Sequence, residues 1–289
     1  MEADKKLLTQ FIKNALAEDI GDGDHTSLST IPKGKQGKAR LIIKERGVLA
    51  GITVAKAIFN EVDPQLNVTI LINDGAEVEY GDVALFVSGR AHSILVAERL
   101  VLNTMQMMSG IASTTKRISD LIKGTGTKVL DTRKTSPNLR FLQKLAVKIG
   151  GGGNHRIGLF DMILIKDNHV DYAGGIAEAI KSATDYRNKL KNKKHLEIEI
   201  EVRTLNELDT VLEAGGVDRI LLDNFSYENL REAVRIVAGR FKTEASGGIT
   251  EENALEFAAC GVDYISMGAL THSVKSLDMS LKAFDGDLK

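Results

Sequence analysis

Between Asp131 and Val170 the chain concentrates groups that bind and polarise anions. That stretch holds seven Lys/Arg (Arg133, Lys134, Arg140, Lys144, Lys148, Arg156, Lys166) against three acids (Asp131, Asp161, Asp167), so its net charge is +4 in a protein whose total is −1. A basic block inside a slightly acidic chain points to a local anion site rather than a generally adhesive surface. Val129-Leu130 and Met162-Ile163-Leu164-Ile165 are short apolar runs of buried-strand type. Each ends directly in charge, the first in Asp131-Thr132-Arg133-Lys134 and the second in Lys166-Asp167-Asn168-His169. Between them four glycines, Gly150 to Gly153, precede Asn154-His155-Arg156. Glycines let main-chain amides approach an oxyanion closely, and His and Arg add directed donors, so this loop reads as an anion cradle.

These groups need elements to hold them. From Lys128 the rhythm is strand, loop, helix, with strands expected near 128–131, 162–166, 196–202, 219–223, 241–245 and 263–267. Helices fall near 139–149, 173–190, 204–214, 226–239 and 251–259. Strict alternation implies a parallel sheet, and six units imply a closed or nearly closed TIM-like α/β barrel over about 111–270. In such barrels the working residues sit at the carboxyl ends of strands. Those positions are Asp131 to Lys134, Lys166 to Asn168, Glu201, Asp223-Asn224, Ser246-Gly247-Gly248 and Ser266-Met267-Gly268. One rim would thus carry cations, then carboxylates, then small amide-rich turns, as suits a polyanionic substrate with a divalent metal. Ser246-Gly247-Gly248 and Ser266-Met267-Gly268 have the composition of a barrel phosphate site. Glu201 and Asp223 converge if they end adjacent strands, and paired carboxylates beside a diphosphate suit Mg²⁺. The same pair would also suit glycosidase acid/base work. Glu197 and Glu199 share the parity of Glu201, so spacing alone does not choose among the three.

Residues 1–110 read as a separate α+β sandwich-like domain. A helix is expected over 4–18, and strand-like runs at 39–43, 48–51, 67–71 and 83–87 are joined mostly by turns, with a helix at 53–61. That pattern implies an antiparallel sheet with helices on one face. Residues 271–289 read as a C-terminal helix rejoining this domain. The acids and His25 within 18–26 fit no metal-ligand spacing and read as a turn and helix cap. A long helical pattern covers 92–122 and includes Arg99.

Composition excludes several classes. Net charge −1 and 5% aromatic residues without Trp argue against nucleic-acid binding. The single cysteine, Cys260, lies in a helical apolar pattern and reads as packing in a reducing cytoplasm. MEADKKLLTQF lacks the apolar core of a signal peptide, and no apolar run nears the roughly 20 residues that span a bilayer. No GxGxxG follows a strand and opens a helix, so dinucleotide binding is not indicated.

The blocks DTRKTSP, GGGGNHRIGL and LIKDNH resemble the signatures of quinolinate phosphoribosyltransferase, the carboxylating nicotinate-nucleotide pyrophosphorylase of NAD synthesis, with likeness from about Glu18 to Leu270. The resemblance implies transfer of phosphoribose from phosphoribosyl pyrophosphate to quinolinate, with loss of pyrophosphate and CO₂. It implies substrate contacts from Thr132, Arg133, Lys134, His155, Arg156 and Lys166. It also implies a homodimer in which Arg99 of the AER-L-LN segment completes the neighbour's site. Catalytic roles fall to Lys134, Lys166, Glu201 and Asp223. Glu201, matching the second Glu of the family's VEVE-like strand, becomes the Mg²⁺ ligand with Asp223. SPN replaces the usual TPG after the TRK, and Phe160 stands where a smaller or polar residue is common, but neither removes a charge. Three rivals remain: a molybdenum-transport-associated paralogue, a Schiff-base barrel enzyme using Lys166, and a non-enzymatic phosphate-metabolite sensor.

Overall fold

Period-two runs early in the chain and βα alternation later give two units in the structure, a computed structural model that describes residues 2–190 and 196–286. The first elements are α1 (Glu2–Ile20), α2 (His25–Thr30), β1 (Gln36–Ile43), β2 (Gly47–Val48), α3 (Ile52–Val62), β3 (Asn67–Ile70), β4 (Glu77–Val78), β5 (Val83–Arg90) and α4 (Ala91–Leu121). Next come β6 (Lys128–Leu130), α5 (Arg140–Ile149), β7 (Ile163–Ile165), α6 (Asp167–Ala173), α7 (Ile176–Lys189), β8 (Ile198–Val202) and α8 (Leu205–Ala214). The chain continues through β9 (Arg219–Asp223), α9 (Tyr227–Val237), β10 (Lys242–Ser246), α10 (Ala254–Ala258), β11 (Tyr264–Ser266), α11 (Ala269–His272) and β12 (Met279–Ala283). One unit comprises residues up to 116, 136–151 and from 274 onward; the other comprises 117–135 and 152–273.

The first unit is built on an antiparallel sheet in the order β12-β1-β5-β3. Ala39, Leu41 and Ile43 are buried and alternate along β1 with the more exposed Lys38, Arg40 and Ile42, as a half-solvated sheet requires. The expected C-terminal helix over 271–289 is corrected as far as 286, residues 287–289 lying outside the described residues: α11 ends at His272 and β12 pairs with β1, Met279 opposite Ile43 and Leu281 opposite Leu41. The cause is period two, since Met279 and Leu281 are buried while Lys282 is exposed. The expected cap near His25 is present, Asp24 accepting the Ser27 N–H at 3.0 Å. Helix α5, expected within the barrel, groups with this first unit. Its Phe141 packs edge-on to Phe11 with ring centroids 6.0 Å apart. Gly150 at its end lies so close to α4 that a Cβ would sit 2.3 Å from the Ala112 carbonyl oxygen.

The second unit is a six-stranded parallel sheet in the order β6-β11-β10-β9-β8-β7. Four of the five helices expected for it and all six strands stand close to the positions the periodicity indicates. Helix α6 is an addition: Lys166-Asp167-Asn168-His169, read as a strand-end loop, opens a helix in which His169 Nδ1 accepts the Lys166 N–H at 2.9 Å. Partners across the sheet put Glu201 and Glu244 opposite Leu221, and Ser246 opposite Asp223. With alternation of faces, Glu199, Glu201, Arg219, Leu221, Asp223, Glu244 and Ser246 share one face of the sheet.

Candidate active site

The carboxyl ends of the strands gather most of the chemistry. Lys166, directly after β7, places Nζ 3.0 Å from Glu201 Oε2 at the end of β8. Asp223 ends the neighbouring strand β9, and its Oδ2 accepts from Asn224 Nδ2 at 2.7 Å. The next turn approaches closely: Gly247 has φ +97°, and a Cβ there would lie 2.2 Å from Asn224 Oδ1. A Cβ on Gly268, after β11, would lie 2.9 Å from Lys134 Cδ, so the Lys134 stem runs across that turn. Thr271 Oγ1 donates to the Lys134 carbonyl at 2.7 Å, fixing the chain beyond β6. Thr132 Oγ1 accepts the Lys134 N–H at 3.0 Å, tightening the same loop.

The arginines complete the rim. Burial lowers the pKa of Arg156, and the charge of Arg133 pushes it the same way, while Glu199 and Asp161 oppose both effects. Two guanidinium charges near enough to repel, one of them on a side chain only 9% exposed, make a pair that a small dianion would relieve. Asp131 is fully buried and orients this corner, accepting the His155 N–H at 2.9 Å and the Asn154 side-chain amide. Asp161 closes the following loop by accepting the Ile157 and Gly158 N–H groups at 2.7 and 2.8 Å.

Three sequence expectations change. Three amides of the glycine run serve the fold rather than an anion: the N–H groups of Gly150, Gly151 and Gly153 donate to the carbonyls of Ala146, Lys148 and Val129. Gly150 serves close packing instead. Met267 offers no free amide to a phosphate, because its N–H donates to the Leu130 carbonyl at 3.0 Å and its side chain is buried. His155 is turned inward, with Nδ1 accepting the Arg156 N–H at 2.7 Å and Nε2 2.8 Å from Glu199 Oε2. Ser246, Gly247, Gly248, Ser266 and Gly268 remain at the two turns expected for a phosphate. Arg99 lies exposed on α4 in the first unit.

Glu244 and Arg219 stand outside the candidates that the sequence indicates, and Glu199 is one of the three acids that parity leaves unresolved. Glu199 and Glu244 are fully buried, and burial raises both to about 7. For Glu199 the nearby Arg219 opposes that rise. For Glu244 the Glu199 charge adds to it, while His155 and Arg219 oppose it. The available signal was an acid in mid-strand, where charge is rare unless paired. An apolar cavity of about 760 Å³ lies beside β7, lined by Met162, Leu164, Tyr186 and Leu196, and Arg156 touches it.

Two carboxylates ending adjacent strands, on one face and beside a lysine, fit a hard divalent ion such as Mg²⁺, which prefers oxygen ligands and keeps waters.

Comparison with known proteins gives one consistent set of similarities. Residues 24–109 match the family model described as "Quinolinate phosphoribosyl transferase, N-terminal domain", and 111–282 match its C-terminal counterpart. The chain is 48% identical to "Quinolinate phosphoribosyltransferase [decarboxylating] 1b" of Nicotiana tabacum, over 94% of this chain and 81% of that protein. It is 42% identical to "Probable nicotinate-nucleotide pyrophosphorylase [carboxylating]" of Bacillus subtilis, over 96% and 92%. Among solved structures, NadC from Streptococcus pyogenes superposes with TM-score 0.89 at 38% identity, covering 96% of this chain and 97% of that one. The nicotinate-nucleotide pyrophosphorylase from Francisella tularensis gives TM-score 0.90 at 39% identity, covering 96% of each.

Proposed function

The chain belongs to the quinolinate phosphoribosyltransferase family, and from that premise we propose how its own side chains divide the work. The reaction is the phosphoribosyl transfer of de novo NAD biosynthesis: phosphoribosyl pyrophosphate and quinolinate give nicotinate mononucleotide, pyrophosphate and CO₂. The ring nitrogen of quinolinate attacks C1 of the ribose, and the C1–O bond to pyrophosphate breaks. The resulting pyridinium charge then stabilises the carbanion left at C2 as CO₂ departs, and a proton takes its place.

The observation that carries this reading is the buried Arg156 next to the charge of Arg133, a like-charged pair that a dicarboxylate relieves. Arg133 and Arg156 hold the two carboxylates, with Thr132 supporting the loop. Lys134, lying over the Gly268 turn, and Lys166, paired with Glu201, neutralise the negative charge that develops on the leaving pyrophosphate. The turns at Ser246–Gly248 and Ser266–Gly268 bind the 5-phosphate, with main-chain donors other than that of Met267. Glu201 and Asp223 hold Mg²⁺, which when bound supplies added charge stabilisation to the diphosphate. Catalysis is then mainly positioning and electrostatics.

A homodimer in which the partner's Arg99 joins the substrate grip belongs to the same reading, supported by the exposure of Arg99 on α4. So does residence in the cytoplasm, supported by a lone buried Cys260; no helix among the described residues is long and apolar enough to cross a membrane. The test is incubation of the purified chain with quinolinate and phosphoribosyl pyrophosphate. Nicotinate mononucleotide and CO₂ appear together, and Arg133→Ala or Arg156→Ala raises the quinolinate KM in a folded protein. Wild-type turnover of quinolinate in both variants refutes this grip by the arginine pair.

A further inference from the structure

Inside the barrel lies a polar cluster that the reaction steps do not use. Glu199 in β8 and Glu244 in β10 flank Arg219 of β9, which holds Glu244 Oε2 at 2.8 Å and stands 4.0 Å from Glu199 Oε1. His155 Nε2 lies 2.8 Å from Glu199 Oε2 and 3.5 Å from Glu244 Oε1. Its other nitrogen is committed, since Nδ1 accepts the Arg156 N–H. A neutral imidazole that accepts at Nδ1 carries its proton on Nε2, the nitrogen that lies beside the two glutamates. The charge of Glu199 also reaches the Arg156 guanidinium, and Ser266 on the neighbouring strand lies close enough to favour the Glu244 charge. Glu197, just before β8, is a further charge facing this group, 3.6 Å from Arg219 Nη2.

The arrangement is costly for scaffold. Both oxygens of Glu199 and Oε1 of Glu244 are buried without a well-aligned hydrogen bond among the described residues, and apolar side chains of similar volume often serve stability as well or better. A metal is the other occupant to weigh, because the three ligand atoms lie within 4.8 Å of one another. For Nε2 to ligate while Nδ1 keeps its bond, the ring would have to become an imidazolate. Arg219 already offsets the acids as well.

We propose that His155, Glu199 and Glu244 are positioning residues, a buried strut that fixes Arg156 for its anionic substrate through the Arg156 main-chain N–H and the Glu199 charge. None of the three touches substrate. Arg219 anchors the strut from below, and Ser266 ties it to the phosphate turn. The proposal rests on the reading of Arg156 as a quinolinate ligand.

The experiment measures quinolinate kinetics of Glu199→Gln alone and combined with Arg156→Lys, in the full-length protein. Glu199→Gln raises the quinolinate KM about tenfold with kcat and the phosphoribosyl pyrophosphate KM changed less than about twofold, and it adds nothing in the Arg156→Lys background. An unchanged quinolinate KM, or an equal rise in both backgrounds, overturns the strut. Long-range ¹⁵N–¹H spectra of the wild type, with His155 assigned through His155→Asn, show Nδ1 unprotonated and Nε2 protonated. The opposite tautomer overturns the proposal, as does one equivalent of Zn²⁺ bound by the wild type and lost in His155→Asn. The spectra remain readable if the wild type proves inactive with quinolinate, which separates failure of that reading from failure of the strut. Should Glu199→Gln not fold, Glu244→Gln and the spectra decide.

Discussion

Replacing Gly247 by alanine tests the phosphate turn through its geometry. At φ +97° an alanine pays the left-handed penalty of about 1–2 kcal/mol. Its Cβ also meets Asn224 at the side-chain oxygen and at the main-chain nitrogen, 2.2 and 2.9 Å away. Asn224 is itself left-handed, at φ 56°, so its backbone has little room to yield and the side chain must swing. Swinging breaks the 2.7 Å bond to Asp223, a hydrogen bond to a charged acceptor worth about 1.5–3 kcal/mol. The sum, roughly 3–5 kcal/mol, lies within the stability of an ordinary domain, and it corresponds to a Tm lower by about 6–20 °C. Gly174→Ala is the matched control: φ is +91° and nothing lies within 4 Å of its Cβ, so only the backbone penalty applies. Melting curves of the two variants are compared, together with kcat/KM for phosphoribosyl pyrophosphate. Gly247→Ala loses kcat/KM about tenfold or more, because both the phosphate turn and Asp223 shift, whereas Gly174→Ala keeps it. Equal Tm losses with unchanged kcat/KM in both would show that the Gly247 turn is connected neither to Asp223 nor to phosphate.

Three other outcomes follow from the same geometry. Burial raises Glu199 and Glu244 from an ordinary 4.5 to about 7, so the stability they contribute is complete below pH 4.5 and is lost as pH rises through 7. Glu244→Gln therefore narrows the difference in Tm between pH 5 and pH 8, whereas an unaltered difference would mean that Glu244 titrates normally. Asp63, held at about 2 chiefly by Arg90, changes stability only at far lower pH and leaves that window alone. Excess chelator abolishes nucleotide formation and added Mg²⁺ restores it; full activity in chelator removes the metal assignment from Glu201 and Asp223. Equimolar mixing of Arg99→Ala and Asp223→Asn, each nearly inactive, restores about a quarter of wild-type activity, since half the dimers are mixed and each has one intact site. No recovery after confirmed subunit exchange places Arg99 outside the partner's site.

The rim was legible because two local rules turn order along the chain into position. Side chains alternate along a strand, and barrel chemistry gathers at the carboxyl ends, so Lys166, Glu201, Asp223 and Ser246 could be picked out from where apolar runs stop. Neither rule contains a long-range contact. The strand at Met279–Ala283 owes its place to β1 at the other end of the chain, and Gly150 owes its glycine to the Ala112 carbonyl on α4; no window around either residue holds that partner. Parity also leaves depth undetermined. Glu199 and Glu201 are two residues apart on one face, yet Glu201 meets Lys166 at the rim while Glu199 is sealed against His155 and Arg219. Residue type identifies a group that can carry charge, but whether that charge meets a substrate or braces the residue that does is decided by how far down the barrel it sits. His155 makes the same point: its place beside Arg156 marks it as a ligand, while its Nδ1 accepts the Arg156 N–H and its Nε2 lies beside two buried glutamates.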